Sequence, residues 1–94
     1  MSIERKLAAI MYTDIAEYTA LSANDENKAL KLLDNQKHIL NPIIEEYNGI
    51  LHKEIGDGFL LTFPTVTDAI KCGIKIQKET KEVEGLNLRI GIHE

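Results

Sequence analysis

The stretch Ile50-Leu-His-Lys-Glu-Ile-Gly-Asp-Gly-Phe-Leu-Leu-Thr-Phe63 decides the fold. Two apolar-rich runs flank a turn whose residues tolerate positive φ, and this pattern predicts a β-hairpin. Asp57 lies at the tip between two glycines, which allow the backbone to approach a ligand closely. Strand alternation places Lys53 on the same face as Leu51 and Ile55, where an ammonium needs a compensating partner. A carboxylate and a lysine in this arrangement indicate an anionic, metal-bearing ligand.

A second carboxylate follows the first strand of the chain. The apolar run Leu7 to Tyr12 predicts a strand buried on both faces, and Asp14 comes just after it. Ile15, Tyr18 and Leu21 have helical spacing, so a helix is expected to begin directly after Asp14. A strand, a short turn and a helix N-terminus form a favourable place for a phosphate, because free N–H groups point outward there.

The second predicted helix begins after the capping residues Ser22 to Asp25. Pro42 should kink or break it, and Asn48-Gly49 should close it as a C-cap, since glycine accepts positive φ. Its predicted apolar stripe is Ala29, Leu30, Leu33, Leu40, Ile44 and Tyr47.

The third helix and a last strand complete the pattern. Thr65 and Asp68 resemble a capping box at the start of this helix, and Gly85 is expected to end it. Its predicted apolar stripe is Val66, Ala69, Ile70, Gly73, Ile74 and Gln77. Residues 86–94 then alternate between apolar and other residues, which is typical of a strand.

The element order βα(α)ββαβ predicts a ferredoxin-like α+β sandwich, with an antiparallel sheet and helices on one face. In that fold the first and third strands are neighbours, and the right-handed crossover rule fixes their directions. Asp14 and Asp57 should therefore meet at one edge of the sheet. Two carboxylates suit Mg²⁺, which keeps waters and substrate phosphates as its other ligands. Taken singly, Asp14 could be a helix N-cap and Asp57 an ordinary turn residue.

Composition restricts the other possibilities. The 94 residues suffice for one small domain, and the net charge of −4, without a basic stripe, argues against nucleic-acid binding. The single cysteine, Cys72, fits a reducing, cytoplasmic compartment, and no apolar run reaches the ~20 residues needed to span a membrane. The cysteine and the histidines His38, His52 and His93 lack metal-ligand spacing. The strand pattern runs to Glu94 without a closing turn, which suggests a cut domain.

Three motifs together resemble the class III adenylate/guanylate cyclase catalytic domain of bacterial type. They are Thr13-Asp-Ile-Ala-Glu-Tyr-Thr19, Lys53-Glu-Ile-Gly-Asp-Gly-Phe59 and Leu88-Arg-Ile-Gly-Ile-His93, and the opening Arg5-Lys-Leu-Ala-Ala-Ile-Met11 is similar as well. The resemblance covers essentially residues 1–94 and about the first half of the family's domain.

The resemblance implies a role for each matching residue. Asp14 and Asp57 match the aspartates that hold two Mg²⁺ or Mn²⁺ ions per site, and the carbonyl of Ile15 joins them. Lys53 matches the lysine that reads the adenine ring of ATP. The residues that match the triphosphate-binding turn and its neighbour are Ala16, Glu17, Tyr18, Thr19 and Gly56.

The implied reaction is the conversion of ATP into cyclic AMP and pyrophosphate at the interface of a head-to-tail homodimer. Glu17 departs from the glycine usual in the phosphate turn and places a carboxylate near a polyanion, unless it points away. The family's later adenine-reading aspartate and its transition-state asparagine and arginine would lie beyond Glu94. We therefore expect little or no activity from this chain alone.

Three other readings are open. The chain could be a non-catalytic cyclase-like module that binds nucleotide or dimerises in signalling, which Glu17 favours slightly. It could be another nucleotide enzyme such as a diguanylate cyclase, although it lacks a Gly-Gly-Asp/Glu-Glu-Phe turn. It could also be a ferredoxin-like binding module without a nucleotide site.

Overall fold

The computed structural model describes residues 9–94. The predicted strand residues Leu7 and Ala8, and most of the opening motif, lie outside that range. The elements are β1 (Ala9–Ile15), α1 (Tyr18–Asn24), α2 (Glu26–Glu46), β2 (Ile50–Ile55), β3 (Gly58–Phe63), α3 (Val66–Thr80) and β4 (Leu88–His93). This order confirms the predicted ferredoxin-like α+β arrangement.

The four strands form an antiparallel sheet in the order β2-β3-β1-β4. In the central pair, Thr13 lies opposite Phe59, and on the other side of β1, Asp14 lies opposite Arg89. The C-terminal end of β1 therefore lies at the same edge of the sheet as the tip of the β2–β3 hairpin, as the sequence predicts.

The core lies between the inner face of the sheet and the helices. Alternate residues of β1 are buried, among them Met11 and Ile15, whereas Tyr12 is exposed, so the prediction of a strand buried on both faces was wrong. The core side chains include Met11, Leu40, Ile44, Phe59, Leu61, Phe63, Ala69, Cys72 and Ile76. This two-layer arrangement leaves the outer face of the sheet, with every second strand residue, open to ligands.

Helix α2 begins as predicted, because the Asp25 side chain accepts a hydrogen bond from Lys28 N at 3.1 Å. The helix continues through Pro42 without interruption, so the predicted break is not present. The predicted stripe was partly wrong, since Leu30 is exposed. The buried positions are Ala29, Leu32, Gln36, Leu40, Ile43 and Ile44, because α2 packs against α1, α3 and the hairpin together.

The end of α2 differs from the prediction in its detail. Asn48, not Gly49, has the positive φ of 65°, and Gly49 N donates to Ile44 O at 2.8 Å. A Cβ on Gly49 would lie 2.6 Å from the Phe63 ring. Glycine is therefore needed here because the chain passes close to β3.

Helix α3 starts where Thr65 Oγ1 accepts a hydrogen bond from Asp68 N at 3.0 Å, as predicted. It ends at Thr80, before the predicted Gly85, which has a φ of 83° in the turn that follows. Its buried face is Ala69, Cys72, Gly73, Ile76 and Thr80, and the predicted Ile70 and Ile74 are exposed. The turn to β4 sets the helix length.

No described helix combines the length and apolar composition needed to cross a bilayer.

Candidate active site

The hairpin tip is joined to the end of β1 by a side chain–backbone hydrogen bond. Ile15 N donates to Asp57 Oδ2 at 2.7 Å, so the Asp57 carboxylate lies beside the residue that follows Asp14. Ile15 itself is the last residue of β1 and not part of a helix as predicted. The two predicted carboxylates are thus brought together at one edge of the sheet.

Gly58 permits this approach. A Cβ at Gly58 would overlap the carbonyl oxygen of Thr13, so this position requires glycine because it packs against β1. Phe59 N also donates to Thr13 Oγ1 at 3.3 Å. The tip of the hairpin therefore has little freedom to move away from β1.

Asp14 is held by a guanidinium that the sequence reasoning did not assign to the site. Arg89 Nε lies 2.7 Å from Asp14 Oδ1, and Arg89 Nη2 lies 3.1 Å from Asp14 Oδ2. This two-point ion pair is a strong, planar form of charge recognition. The hydrogen bond and charge of Asp14, with a smaller contribution from Asp57, raise the pKa of Arg89 above its ordinary value. The register of β1 with β4 places Arg89 opposite Asp14, and this pairing is what would have identified Arg89 as a site residue.

Both carboxylates and Arg89 line an open groove of about 480 Å³, together with the apolar side chains of Tyr12 and Ile55. Within residues 9–94, no group of three or more His, Cys, Asp or Glu side chains could hold a metal ion. A divalent ion here would have two carboxylates as side-chain ligands. Mg²⁺ and Mn²⁺ fit this donor set, because they accept a few carboxylate oxygens and take the rest of their shell from water and phosphate.

The predicted phosphate turn lies next to this edge and lines a neighbouring pocket of about 280 Å³. Ala16 N donates to Asn87 O at 2.7 Å, so this amide is already engaged. Glu17 precedes α1 in a left-handed conformation, with φ of 61° and ψ of 23°, and its side chain makes no capping hydrogen bond. Tyr18 is the first residue of α1, and Thr19 follows it.

Lys53 and Gly56, two further predicted site residues, do not line the groove that contains Asp14 and Asp57. A β-bulge between Leu51 and Lys53 shifts the register, so that Leu51 pairs with Leu61 but Lys53 pairs with Leu60. Lys53 is therefore exposed on the face opposite Leu51, so the predicted face shared with Leu51 was wrong, whereas Lys53 and Ile55 do share a face. Gly56 precedes Asp57 with a φ of 58° and borders a third pocket, behind the tip.

The chain resembles known nucleotide cyclases in sequence and in structure. It is 31% identical over 100 residues, 98% of the chain, to "Putative adenylate cyclase 3" of Rhizobium meliloti (strain 1021), of which it covers 17%. It superposes on the guanylyl cyclase Cya2 with a TM-score of 0.83 and 25% identity, over 98% of this chain and 55% of that one. A bacterial light-regulated adenylyl cyclase gives a TM-score of 0.82 and 26% identity, over 94% of this chain and 54% of that one.

The chain has the fold of a class III nucleotide cyclase catalytic domain. The suspected family is thereby confirmed, although a scan against protein-family models gives no match. This cyclase-type domain spans about half the length of the solved cyclases and less than a fifth of the curated relative. Its neighbours include both adenylyl and guanylyl cyclases, so the likeness alone does not choose between the two nucleotides.

Proposed function

We propose that residues 1–94 are the N-terminal part of an adenylate cyclase catalytic domain, in a protein that converts ATP into cyclic AMP and pyrophosphate. The observation that carries this proposal is the 2.7 Å hydrogen bond from Ile15 N to Asp57, which sets the two carboxylates side by side in one groove. The similarity to a protein named as an adenylate cyclase supports it.

Asp14, Asp57 and the carbonyl of Ile15 would hold two Mg²⁺ or Mn²⁺ ions. When bound, these ions would lower the pKa of the attacking hydroxyl and offset phosphate charge. Arg89 adds a cation to the same groove, where it balances Asp14. The 3′-oxygen of ATP would attack the α-phosphorus, and the bond to the pyrophosphate oxygen would break.

The N–H groups of Glu17, Tyr18 and Thr19 would face the triphosphate, with Gly56 nearby. Ala16 is the exception, because its N–H already donates to Asn87 O. Its role would be to fix the conformation of the turn. A helix N-terminus suits an anion because its first N–H groups lack partners within the helix.

Lys53 would serve a site shared with a second copy of the chain in a head-to-tail homodimer. Its exposed position on the outer face of β2, where it does not line the Asp14 groove, fits a contact across an interface. A lysine can donate to adenine N1, whereas guanine N1 carries a hydrogen and offers no acceptor. We therefore propose ATP as the substrate. A cytoplasmic location accords with a single, free and buried cysteine.

A second candidate is a non-catalytic cyclase-like module that binds nucleotide or dimerises. It is favoured by Glu17, whose left-handed backbone carries a carboxylate into the phosphate turn. A full cyclase and this module differ in turnover but not in fold.

Calorimetric titration of this chain with Mn²⁺-ATP and Mn²⁺-GTP tests the proposal. We expect ATP to bind more tightly, and Asp57→Asn to weaken Mn²⁺-ATP binding at least about tenfold, because a metal ligand loses its charge. Glu79→Gln, on the exposed side of α3, is the matched charge control and should change nothing. We expect little or no cyclic AMP from the chain alone with Mn²⁺.

Undiminished binding by the Asp57 variant, or preference for GTP, would contradict the proposed site or its nucleotide. Binding of ATP without turnover by the full-length protein would favour the non-catalytic module.

A further inference from the structure

Gln36 lies in the middle of α2 and is the only residue in the buried stripe of that helix with a polar side chain. It is 1% exposed. Its Nε2 donates to the carbonyl oxygen of Asp57 at 3.2 Å, across 21 residues of sequence. A buried side chain on a helix thus contacts the backbone of the proposed metal ligand.

The orientation of the Gln36 amide follows from its partner. A carbonyl oxygen can only accept a hydrogen bond, so the NH₂ group of Gln36 must face Asp57. The Oε1 atom then has to find a donor elsewhere. It is buried and accepts no hydrogen bond within the described part of the chain. A buried acceptor without a partner costs free energy of folding.

Packing alone does not explain a glutamine at this position. Leu32 and Leu40, one turn before and one turn after it, are buried on the same stripe and carry no polar atoms. Methionine has nearly the same shape as glutamine and would fill the position without an unpaired oxygen. The benefit of the amide must therefore lie in what its NH₂ group holds.

The Asp57 turn depends on such hydrogen bonds for its position. Gly58 packs against β1 on one side of Asp57, whereas no atom lies within 4 Å of the place where a Cβ of Gly56 would be, so packing does not fix the Gly56 side of the tip. The Asp57 side chain is held by Ile15 N, and its main chain is held by Gln36. Two hydrogen bonds from different elements thus set the orientation of one carboxylate.

We propose that Gln36 is a positioning residue that holds the Asp57 turn in its metal-binding geometry, through the carbonyl oxygen of Asp57 and at a cost to fold stability. This inference rests on the proposed metal site at Asp14 and Asp57. The hydrogen bond that it uses links the middle of α2 to the hairpin tip.

The test compares Gln36→Met and Gln36→Leu with the unchanged chain in two measurements, Mn²⁺ affinity by electron paramagnetic resonance and thermal unfolding without metal. We expect Mn²⁺ affinity to fall about tenfold in both variants, as for other residues that orient a metal ligand. The melting temperature should stay the same or rise. Replacing a purely structural glutamine would not lower Mn²⁺ affinity while leaving the melting temperature the same or higher.

Thr80→Val is the matched control. Thr80 is buried and its Oγ1 donates to Ile76 O at 2.8 Å within α3, away from the groove. This variant should lower the melting temperature and leave Mn²⁺ affinity unchanged.

Asp57→Asn separates the two proposals. If it does not weaken Mn²⁺ binding, the proposed metal site is wrong. If it does, but Gln36→Met and Gln36→Leu bind Mn²⁺ as the unchanged chain does, only the positioning role is wrong. Failure of both Gln36 variants to fold would also overturn the inference, because it would make the amide necessary for stability.

Discussion

Replacing Glu17 with glycine should make the chain more stable, although the change removes a side chain. Glu17 has a φ of 61°, and its side chain makes no capping hydrogen bond at the start of α1. This left-handed conformation costs a non-glycine residue about 1–2 kcal/mol of folding free energy. Glycine also increases the conformational freedom of the unfolded chain. This lowers the stability of the fold by about 0.4–1 kcal/mol and offsets part of the strain that is removed. The net expectation is a stabilisation of about 0.5–1 kcal/mol.

The same substitution removes a negative charge from the proposed phosphate turn. At a separation of roughly 5 Å and an effective dielectric constant of about 60, one pair of unit charges interacts by about 1 kcal/mol. Removing the carboxylate of Glu17 should therefore tighten the binding of Mn²⁺-ATP about fivefold. The effect should decrease as the salt concentration rises, since the turn is open to solvent.

Urea unfolding and nucleotide titration of Glu17→Gly and Glu17→Ala separate the two contributions. Alanine removes the charge and keeps the strained backbone, so both variants should bind ATP more tightly, but only the glycine variant should gain stability. A Glu17→Gly chain that is no more stable than Glu17→Ala would refute the argument from strain. Unchanged ATP affinity in both would show that the carboxylate points away from the phosphates.

Three further outcomes follow from the site and the core. Gly58→Ala should cost about 3 kcal/mol in urea unfolding, because its Cβ would overlap the carbonyl oxygen of Thr13; a fully stable variant would contradict the close approach of β3 to β1. Arg89→Ala should change stability by less than about 1 kcal/mol, since the side chains of Arg89 and Asp14 are 69% and 45% exposed, and should raise Mn²⁺ affinity without nucleotide by freeing Asp14. A large loss of stability would contradict a weak, solvent-exposed ion pair, and a loss of Mn²⁺ affinity would contradict the expected release of Asp14. Burial, with smaller contributions from nearby carboxylates, raises the pKa of Cys72 from 9.0 to about 11, so its alkylation by iodoacetamide at pH 8 should be about a hundredfold slower than that of an unperturbed thiol. Rapid labelling of the folded chain would contradict a buried thiol.

Much of the fold could be predicted because its signals are local. The two glycines around Asp57 indicate the hairpin, and Asp25 and Thr65 cap α2 and α3 as their residue types suggest. The order of the elements then leaves few right-handed arrangements of the sheet. The meeting of Asp14 and Asp57 at one edge follows from that topology.

The remaining features depend on contacts that the sequence does not display. The bulge at His52 rotates Lys53 away from the face of Leu51, and strict alternation cannot anticipate it. Arg89 joins the site only through its register with Asp14.

The buried face of each helix was the least predictable feature. Leu30 in α2 and Ile74 in α3 are apolar but exposed, while Gln36 is polar and buried. Helices that pack against a sheet and against one another bury more than one narrow stripe, so hydrophobic spacing alone does not fix which side faces inward.

The pairing of Thr13 with Phe59 restricts how the gene can change in length. Side chains alternate along a strand, so inserting or deleting one codon within β1 would turn Asp14 toward the hydrophobic layer. The same change in the hairpin would shift the register that brings Asp57 to Ile15 N. Codon gains and losses among homologous genes should therefore collect at residues 81–85, between α3 and β4, which precede the buried Leu86 and the Asn87 carbonyl that accepts from Ala16 N.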